Sequence, residues 1–231
     1  TDCVDGRYRL LRARERNKDQ SYVLHMLGQA ELELARFPVG EYPKSEIRQI
    51  AASLGLRTAN KPESQDLCFV PGGDTHSFIA EQIPQGSVPG RIVTADGTRV
   101  GTHKGFAHYT VGQRKGLGIG LGVPLYVSEI RSDDNTVVVA GAGEMKVDQI
   151  QVQGVSFVGS PPRGEFRTSV MSRYRGREFP ASVVVDGETA AITFDEPQDR
   201  PAPGQTAVFY DGDEVVGGGT IGRVKAREPV A

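Results

Sequence analysis

The residue of this sequence best placed for covalent chemistry is Cys68, in the polar run Lys61-Pro62-Glu63-Ser64-Gln65-Asp66-Leu67-Cys68-Phe69. That composition reads as a loop leading into a short apolar segment, where a second reactant can reach a thiol. A thiol becomes a nucleophile when its surroundings favour the thiolate. A small buried hydrophobe fits the same residues, because free cysteine is usually that. Cys3, the other of the two cysteines, has Asp2 beside it and no adjacent cation, and reads as incidental. Neither cysteine forms a C-x-x-C pair or joins a histidine cluster, so neither a metal site nor a disulfide scaffold is expected.

Three further stretches could bind rather than react. His103-Lys104-Gly105-Phe106-Ala107-His108-Tyr109-Thr110-Val111-Gly112-Gln113-Arg114-Lys115-Gly116-Leu117-Gly118-Ile119-Gly120 combines cations, histidines, aromatics and glycines with no acid. Glycine lets backbone approach a ligand, cations meet phosphates and aromatics stack on bases. It is not a phosphate-binding P-loop, since Gly116 and not Ser or Thr follows Lys115. A glycine-rich turn with a solvated basic edge accounts for it equally well. The second stretch carries Arg163, Arg167, Arg173, Arg175 and Arg177 against the single Glu165. On a strand, Arg173, Arg175 and Arg177 would share a face with Tyr174 opposite, suiting either a phosphate backbone or a charged edge that resists pairing. The third, Lys18-Asp19-Gln20, opens a predicted helix, where free N–H groups favour anions and Asp19 also serves as an ordinary first-turn residue.

The elements that must position these residues are legible from periodicity and turns. Asp5-Gly6 marks a hairpin near the N-terminus. Asn17 with Gln20 resembles a capping box, and Val23, Met26, Leu27, Ala30 and Leu34 recur at helical spacing, predicting a helix over residues 18–35. Ile47, Ile50, Ala51 and Leu54 predict a second over residues 45–54, stopped by Gly55. There the helical signal ends. From about Pro84, short β-rich runs alternate with turns at Asp96-Gly97, Asp133-Asp134-Asn135, Asp186-Gly187 and Asp211-Gly212, predicting mostly antiparallel sheet. A seam near residues 141–146 precedes a final barrel.

At 231 residues and 38% hydrophobic content the chain can bury real cores. Its net charge of -2 creates no overall field for nucleic acid, so any RNA contact must be locally basic. No apolar run approaches the roughly 20 residues of a membrane helix, and no basic-then-apolar leader opens the chain, so a cytoplasmic location without a membrane partner is expected. Thr1 in place of an initiator Met suggests an interior start.

Taken together, Asn17-Lys18-Asp19-Gln20-Ser21-Tyr22, Phe37-Pro38-Val39-Gly40, the Cys68 run, Thr110-Val111-Gly112-Gln113-Arg114-Lys115-Gly116-Leu117-Gly118 and Pro203-Gly204-Gln205-Thr206-Ala207-Val208-Phe209-Tyr210 resemble the tRNA-specific 2-thiouridylase family. The resemblance covers essentially the whole chain. It implies an α/β remnant followed by mostly β structure: part of an adenine-nucleotide-alpha-hydrolase-like domain over 1–80, a small β-rich, tRNA-binding central domain over 81–145, and a six-stranded-type β-barrel over 146–231. It implies conversion of the wobble uridine of tRNA to 2-thiouridine, with ATP and magnesium in the full-length protein adenylating the base oxygen. Cys68 would bear the persulfide, loaded by a sulfur-relay protein or cysteine desulfurase. Lys18, Asp19, Gln20, Arg173, Tyr174 and Gln205 would contact tRNA. The family's ATP loop, S-G-G-x-D-S, and its other catalytic cysteine are absent from this sequence. The chain alone is therefore expected to bind tRNA weakly, to hold no ATP tightly and not to thiolate. A non-catalytic RNA-binding β-barrel module and a translation-factor-type barrel with a protein partner are the rival readings.

Overall fold

The computed structural model describes residues 1–62, 70, 75–222 and 224. Cys68 and its polar run from Glu63 lie outside the described residues. The chain divides into two compact units, one formed by Thr1–Pro62, Asp148–Pro197 and Pro203–Val224, the other chiefly by residues 75–147.

In the first unit, strands β1 (Asp2–Val4) and β2 (Arg7–Leu11) form the predicted hairpin. Asp5 and Gly6 both take positive φ, 51° and 76°, the primed turn whose twist matches paired strands. The helix expected over residues 18–35 is not continuous. It is two 3-10 turns, Arg16–Lys18 and Ser21–Leu24, followed by α1 (Gln29–Leu34). The cause lies at Asp19, whose carboxylate accepts the N–H groups of Ala13 at 2.9 Å and Ser21 at 3.1 Å and the Ser21 hydroxyl at 2.7 Å. A side chain bonded to the local backbone in this way competes with the helical ladder. The apolar period is accordingly misleading, since Met26 and Leu34 are exposed while Tyr22 and Leu32 are buried. The second helix, α2 (Lys44–Ser53), falls where expected, and Gly55 at φ 66° follows it.

The barrel comprises β7 (Lys146–Phe157), β8 (Glu165–Met171), β9 (Glu178–Asp186), β10 (Thr189–Asp199), β11 (Thr206–Asp211) and β12 (Glu214–Ile221). Their order is β12-β11-β8-β9-β10-β7, and pairing of β7 with β12 closes the ring, which removes exposed edges. Alternate residues Ala181, Val183, Ile192 and Phe194 of β9 and β10 are buried, whereas Val184 is exposed. In β11 both faces are covered. Phe209 meets Phe157 and Phe166, while Val208 and Tyr210 pack with Leu10, Tyr22 and Leu32 of the N-terminal segment. That segment therefore lies on the barrel's outer wall, and β2 extends the sheet by pairing Leu10 and Leu11 with Val215 and Glu214.

The arginine-rich stretch differs from expectation. Residues 172–177 form the loop joining β8 to β9, not a strand, because Arg175 sits at φ 57° and the Gly176 N–H donates to the Arg173 carbonyl at 2.9 Å. Strand alternation cannot pass through a left-handed residue, so the three arginines do not share a stripe.

His25 is buried against β12, where a Cβ on Gly218 would approach its ring to 2.7 Å. Burial lowers the His25 pKa, against the opposing effect of its Nδ1 hydrogen bond to the Tyr22 carbonyl. A folded pKa below the unfolded one means that the unfolded chain takes up the proton first as pH falls. This contribution to stability is full above the ordinary value of 6.5 and is lost below it. His25→Gln is expected to lessen the fall in melting temperature between about pH 7.5 and 5.5 relative to wild type. An identical fall in both proteins would remove His25 from the acid response.

The second unit contains α3 (Thr75–Gln82), then β3 (Gly90–Thr94), β4 (Arg99–His103), β5 (Leu125–Arg131) and β6 (Thr136–Gly141), ordered β4-β3-β6-β5. Helix α3 lies beyond the point where the sequence reading ended its helices. It is short, and its apolar positions are too few and too irregular to form a stripe. The β3–β6 pair is parallel, an exception to the antiparallel expectation. Ile92, Leu117, Val127, Val137 and Val139 make the core. His103 is structural: its Nδ1 accepts the Gly105 N–H at 3.1 Å, so Nε2 carries the proton and donates to the Asn135 carbonyl.

Candidate nucleic-acid interface

Within the first unit, two neighbouring N-terminal segments and two segments far along the chain converge on one cleft of about 640 Å³. They are the end of β2 with Arg12, the 3-10 turn carrying Arg16, Asn17 and Lys18, the β8–β9 loop carrying Tyr174 and Arg175, and the β11–β12 turn with Gly212 and Asp213. Arg12 organises the interior. Its guanidinium lies 3.5 Å from the Tyr210 ring centre, 2.5 Å from Glu178 Oε1 and 3.9 Å from Asp19 Oδ2. Its side chain is only 7% exposed. Nη2 meets Glu178 off the hydrogen-bonding direction, so that contact is an ion pair without a directional bond.

The carboxylates of the cleft are thus engaged: Asp19 and Glu178 by Arg12, and Asp213 by Arg16 at the rim. No carboxylate among the described residues pairs with Arg175, whose guanidinium lies 5.2 Å from the Tyr174 ring centre. Tyr174 is also 5.9 Å from Tyr22 between ring centres, at an angle of 48°. Burial pushes the Tyr22 phenol up to about 12, so it stays protonated and donates to the Thr206 carbonyl. The Tyr210 phenol is likewise raised by burial. The result is a cleft with cations at its mouth and a half-exposed tyrosine beside them, able to take a phosphate and stack a base.

Of the residues expected to contact tRNA, Lys18, Asp19 and Tyr174 line this cleft. Gln20 adjoins it, with Nε2 3.5 Å from the Tyr174 hydroxyl. Arg173 is exposed in the same loop, its side chain folded over Gly176. Asp19 spends its oxygens inward, as described above. Gln205 does not line the cleft. It is exposed just before β11, its carbonyl accepting the Ile221 N–H at 2.7 Å, next to the Thr206 carbonyl that Tyr22 binds. The sequence reading passed over Arg12, Arg16, Tyr22, Arg175 and Asp213 as members of one site. A signal existed in the basic run Arg12-Ala13-Arg14-Glu15-Arg16-Asn17-Lys18.

The chain matches three domain models in succession. Residues 2–72 match a tRNA methyl transferase HUP domain, 76–141 a tRNA methyl transferase PRC-barrel domain, and 147–221 an aminomethyltransferase beta-barrel domain. An α/β piece, a β-rich domain and a closed barrel therefore define its class. Among curated relatives, the tRNA-specific 2-thiouridylase MnmA of Roseiflexus sp. (strain RS-1) is 45% identical over 218 residues, covering 94% of this chain and 58% of the relative. The protein of the same name from Chloroflexus aurantiacus (strain ATCC 29366 / DSM 635 / J-10-fl) is 45% identical over 222 residues, 95% of this chain and 62% of the relative. That of Synechococcus sp. (strain ATCC 27144 / PCC 6301 / SAUG 1402/1) is 46% identical over 229 residues, 97% and 64%. The chain belongs to the tRNA-specific 2-thiouridylase family. It spans about three fifths of the length of the curated relatives it matches.

Proposed function

We propose that this chain supplies the tRNA-binding surface and the sulfur-bearing cysteine of an enzyme that exchanges the C2 oxygen of a wobble uridine in tRNA for sulfur. The observation that carries the reading is the cleft, which gathers Lys18, Gln20 and Tyr174 from segments more than a hundred residues apart. Lys18, Gln20, Arg173 and Tyr174 contact the RNA backbone and bases there. Asp19 positions them by fixing the turn, and Gln205 makes a separate contact beside the start of β11. Cys68 carries the persulfide, received from a sulfur-relay protein or a cysteine desulfurase. The three functional stretches are 1–80, 81–145 and 146–231.

ATP, with magnesium, belongs to the whole protein in this reading and supplies activation of the base oxygen. The first turns of α1 and α2 offer it no open phosphate cradle, since Glu31 accepts the Gly28 N–H and Glu15 the Lys44 N–H. No step through ATP is assigned to these residues. Among the described residues no helix is long and apolar enough to cross a membrane. A cytoplasmic location accords with a tRNA substrate.

Filter binding of tRNA to this chain tests the cleft. Tyr174→Ala removes a stacking surface and is expected to weaken binding by about 5- to 100-fold, the range for a lost base–aromatic stack. Lys18→Gln is expected to lower the slope of log affinity against log salt by about 1, for one lost phosphate contact. Wild-type affinity and slope in both variants would exclude the cleft as the RNA site.

A further inference from the structure

Delivery of sulfur from Cys68 to a tRNA held in the cleft requires the two to be held in register, since a misplacement of about 1 Å can cost a reaction about 100-fold. In the first unit the RNA-contact turn is Arg16–Lys18, and the chain reaches the Cys68 run through Lys61 and Pro62. Helix α2 lies between them in sequence. Apolar packing holds it only weakly, because none of its ten residues is buried and Ile50 and Leu54 are exposed. Its place is set by polar links, and Glu15 makes the first of them. Glu15 is the one acid in the run Arg12-Ala13-Arg14-Glu15-Arg16-Asn17-Lys18, where a carboxylate weakens attraction for RNA and therefore serves another purpose.

That purpose is the cap of α2. The N-cap residue, Pro43, has no side-chain acceptor, and Glu15 Oε2 accepts the Lys44 N–H at 2.5 Å in its stead. A carboxylate there also meets the positive end of the helix dipole. The carbonyl of the same residue accepts the Lys18 N–H at 2.9 Å and so begins the RNA-contact turn, while the neighbouring Arg14 N–H donates to the Gly40 carbonyl at 2.9 Å. The second link is Arg48, one turn after Lys44 and about 6 Å further along the axis. Its Nη2 donates to the Lys61 carbonyl at 3.3 Å. Turns closed by Leu56 N–H to Ala51 O at 2.9 Å, Ala59 N–H to Leu56 O at 3.1 Å and Lys61 N–H to Thr58 O at 3.1 Å bring the chain back alongside the helix. Lys61 is therefore returned to the N-terminal half of α2, the end that Glu15 holds.

We propose that Glu15 is a positioning residue for sulfur transfer: by capping α2 it holds the segment leading into Cys68 in register with the RNA-contact turn, with Arg48 as the second link. This rests on the reading above, in which the cleft binds tRNA and Cys68 carries the sulfur. The test uses the full-length protein with ATP, tRNA and a sulfur donor. It reads the single-turnover thiolation rate at saturating tRNA, the tRNA affinity, the persulfide at Cys68 and the melting temperature. Glu15→Ala is expected to slow the rate about tenfold or more, while affinity stays within about threefold and Cys68 loads as in wild type. Glu15→Gln keeps an acceptor without the charge and is expected to fall between the two. Arg48→Ala is expected to slow the rate in the same way, by about threefold or more. Pro43→Ser gives α2 a cap of its own, so added to Glu15→Ala it should restore the melting temperature but not the rate. A restored rate would reduce Glu15 to a helix cap and overturn the proposal. A wild-type rate in Glu15→Ala would overturn it too, as would a loss confined to tRNA affinity, which would make Glu15 part of the RNA site. If the wild type itself fails to bind tRNA or to carry a persulfide at Cys68, the reading beneath falls and the link falls with it.

Discussion

If Cys68 carries the sulfur as proposed, replacing it with alanine in the full-length protein is expected to abolish thiolation, by on the order of 10³-fold or more, while tRNA affinity stays within about twofold of wild type. The reason is stoichiometric as well as kinetic. The atom delivered to C2 must be carried by something, and a carbon side chain at position 68 has no sulfur to give. C2 of uridine yields to attack once its oxygen has become a leaving group, and a persulfide sulfur anion is then a capable nucleophile. Cys3 offers no substitute. It is an exposed residue of β1 paired with Tyr8 across the hairpin, and Cys3→Ser is expected to keep full turnover. The check is 2-thiouridine content of digested tRNA after a single turnover, with filter binding of the same protein. Retained turnover in Cys68→Ala would remove Cys68 from the mechanism. Persulfide trapping at Cys68 after incubation with a sulfur donor separates the enzyme from a non-catalytic RNA-binding barrel, which predicts an unmodified thiol.

What could be read from the sequence was mainly its punctuation. Each Asp-Gly pair at 5–6, 96–97, 186–187 and 211–212 falls between adjacent antiparallel strands, because positive φ at glycine is a local requirement that composition reveals directly. The helix over residues 18–35 failed for the opposite reason. Its apolar period was real, but which of those residues are buried is decided by Tyr22 and Leu32 packing on the outside of β11, a contact with residues far along the chain. Likewise Arg173, Arg175 and Arg177 looked like a strand stripe with Tyr174 opposite, whereas a single left-handed residue, Arg175, turns the segment into a loop. The site was legible in pieces. Resemblance supplied Lys18-Asp19-Gln20 and Arg173-Tyr174 separately, and the fold brings Lys18, Gln20 and Tyr174 to one cleft. The residue that joins the pieces, Arg12, carries no motif, because its importance comes from partners at positions 19, 178 and 210 that only the closed barrel assembles.

Arg12→Ala is accordingly expected to be the most damaging substitution in the first unit outside its apolar core, destabilising it by about 3 kcal/mol or more. Removing one partner of a buried ion pair leaves the other charge without compensation, and here a single guanidinium serves two carboxylates. The Asp19 and Glu178 side chains are 10% and 33% exposed, so neither recovers full hydration once Arg12 is gone. The Tyr210 ring also loses the cation lying over its face. The damage should reach the RNA surface, because Asp19 fixes the turn bearing Lys18 and Glu178 begins the strand that follows the Tyr174 loop. Arg12→Lys keeps the charge but cannot bridge two carboxylates with a planar fork, and is expected to fall between wild type and Arg12→Ala. Urea unfolding supplies the stabilities, and the cycle with Glu178→Gln supplies the coupling. If Arg12 acts through these partners, Arg12→Met with Glu178→Gln should be less destabilised than the sum of the single variants. Strict additivity would reduce Arg12 to a packing residue over Tyr210 and leave the geometry of the cleft to the backbone alone.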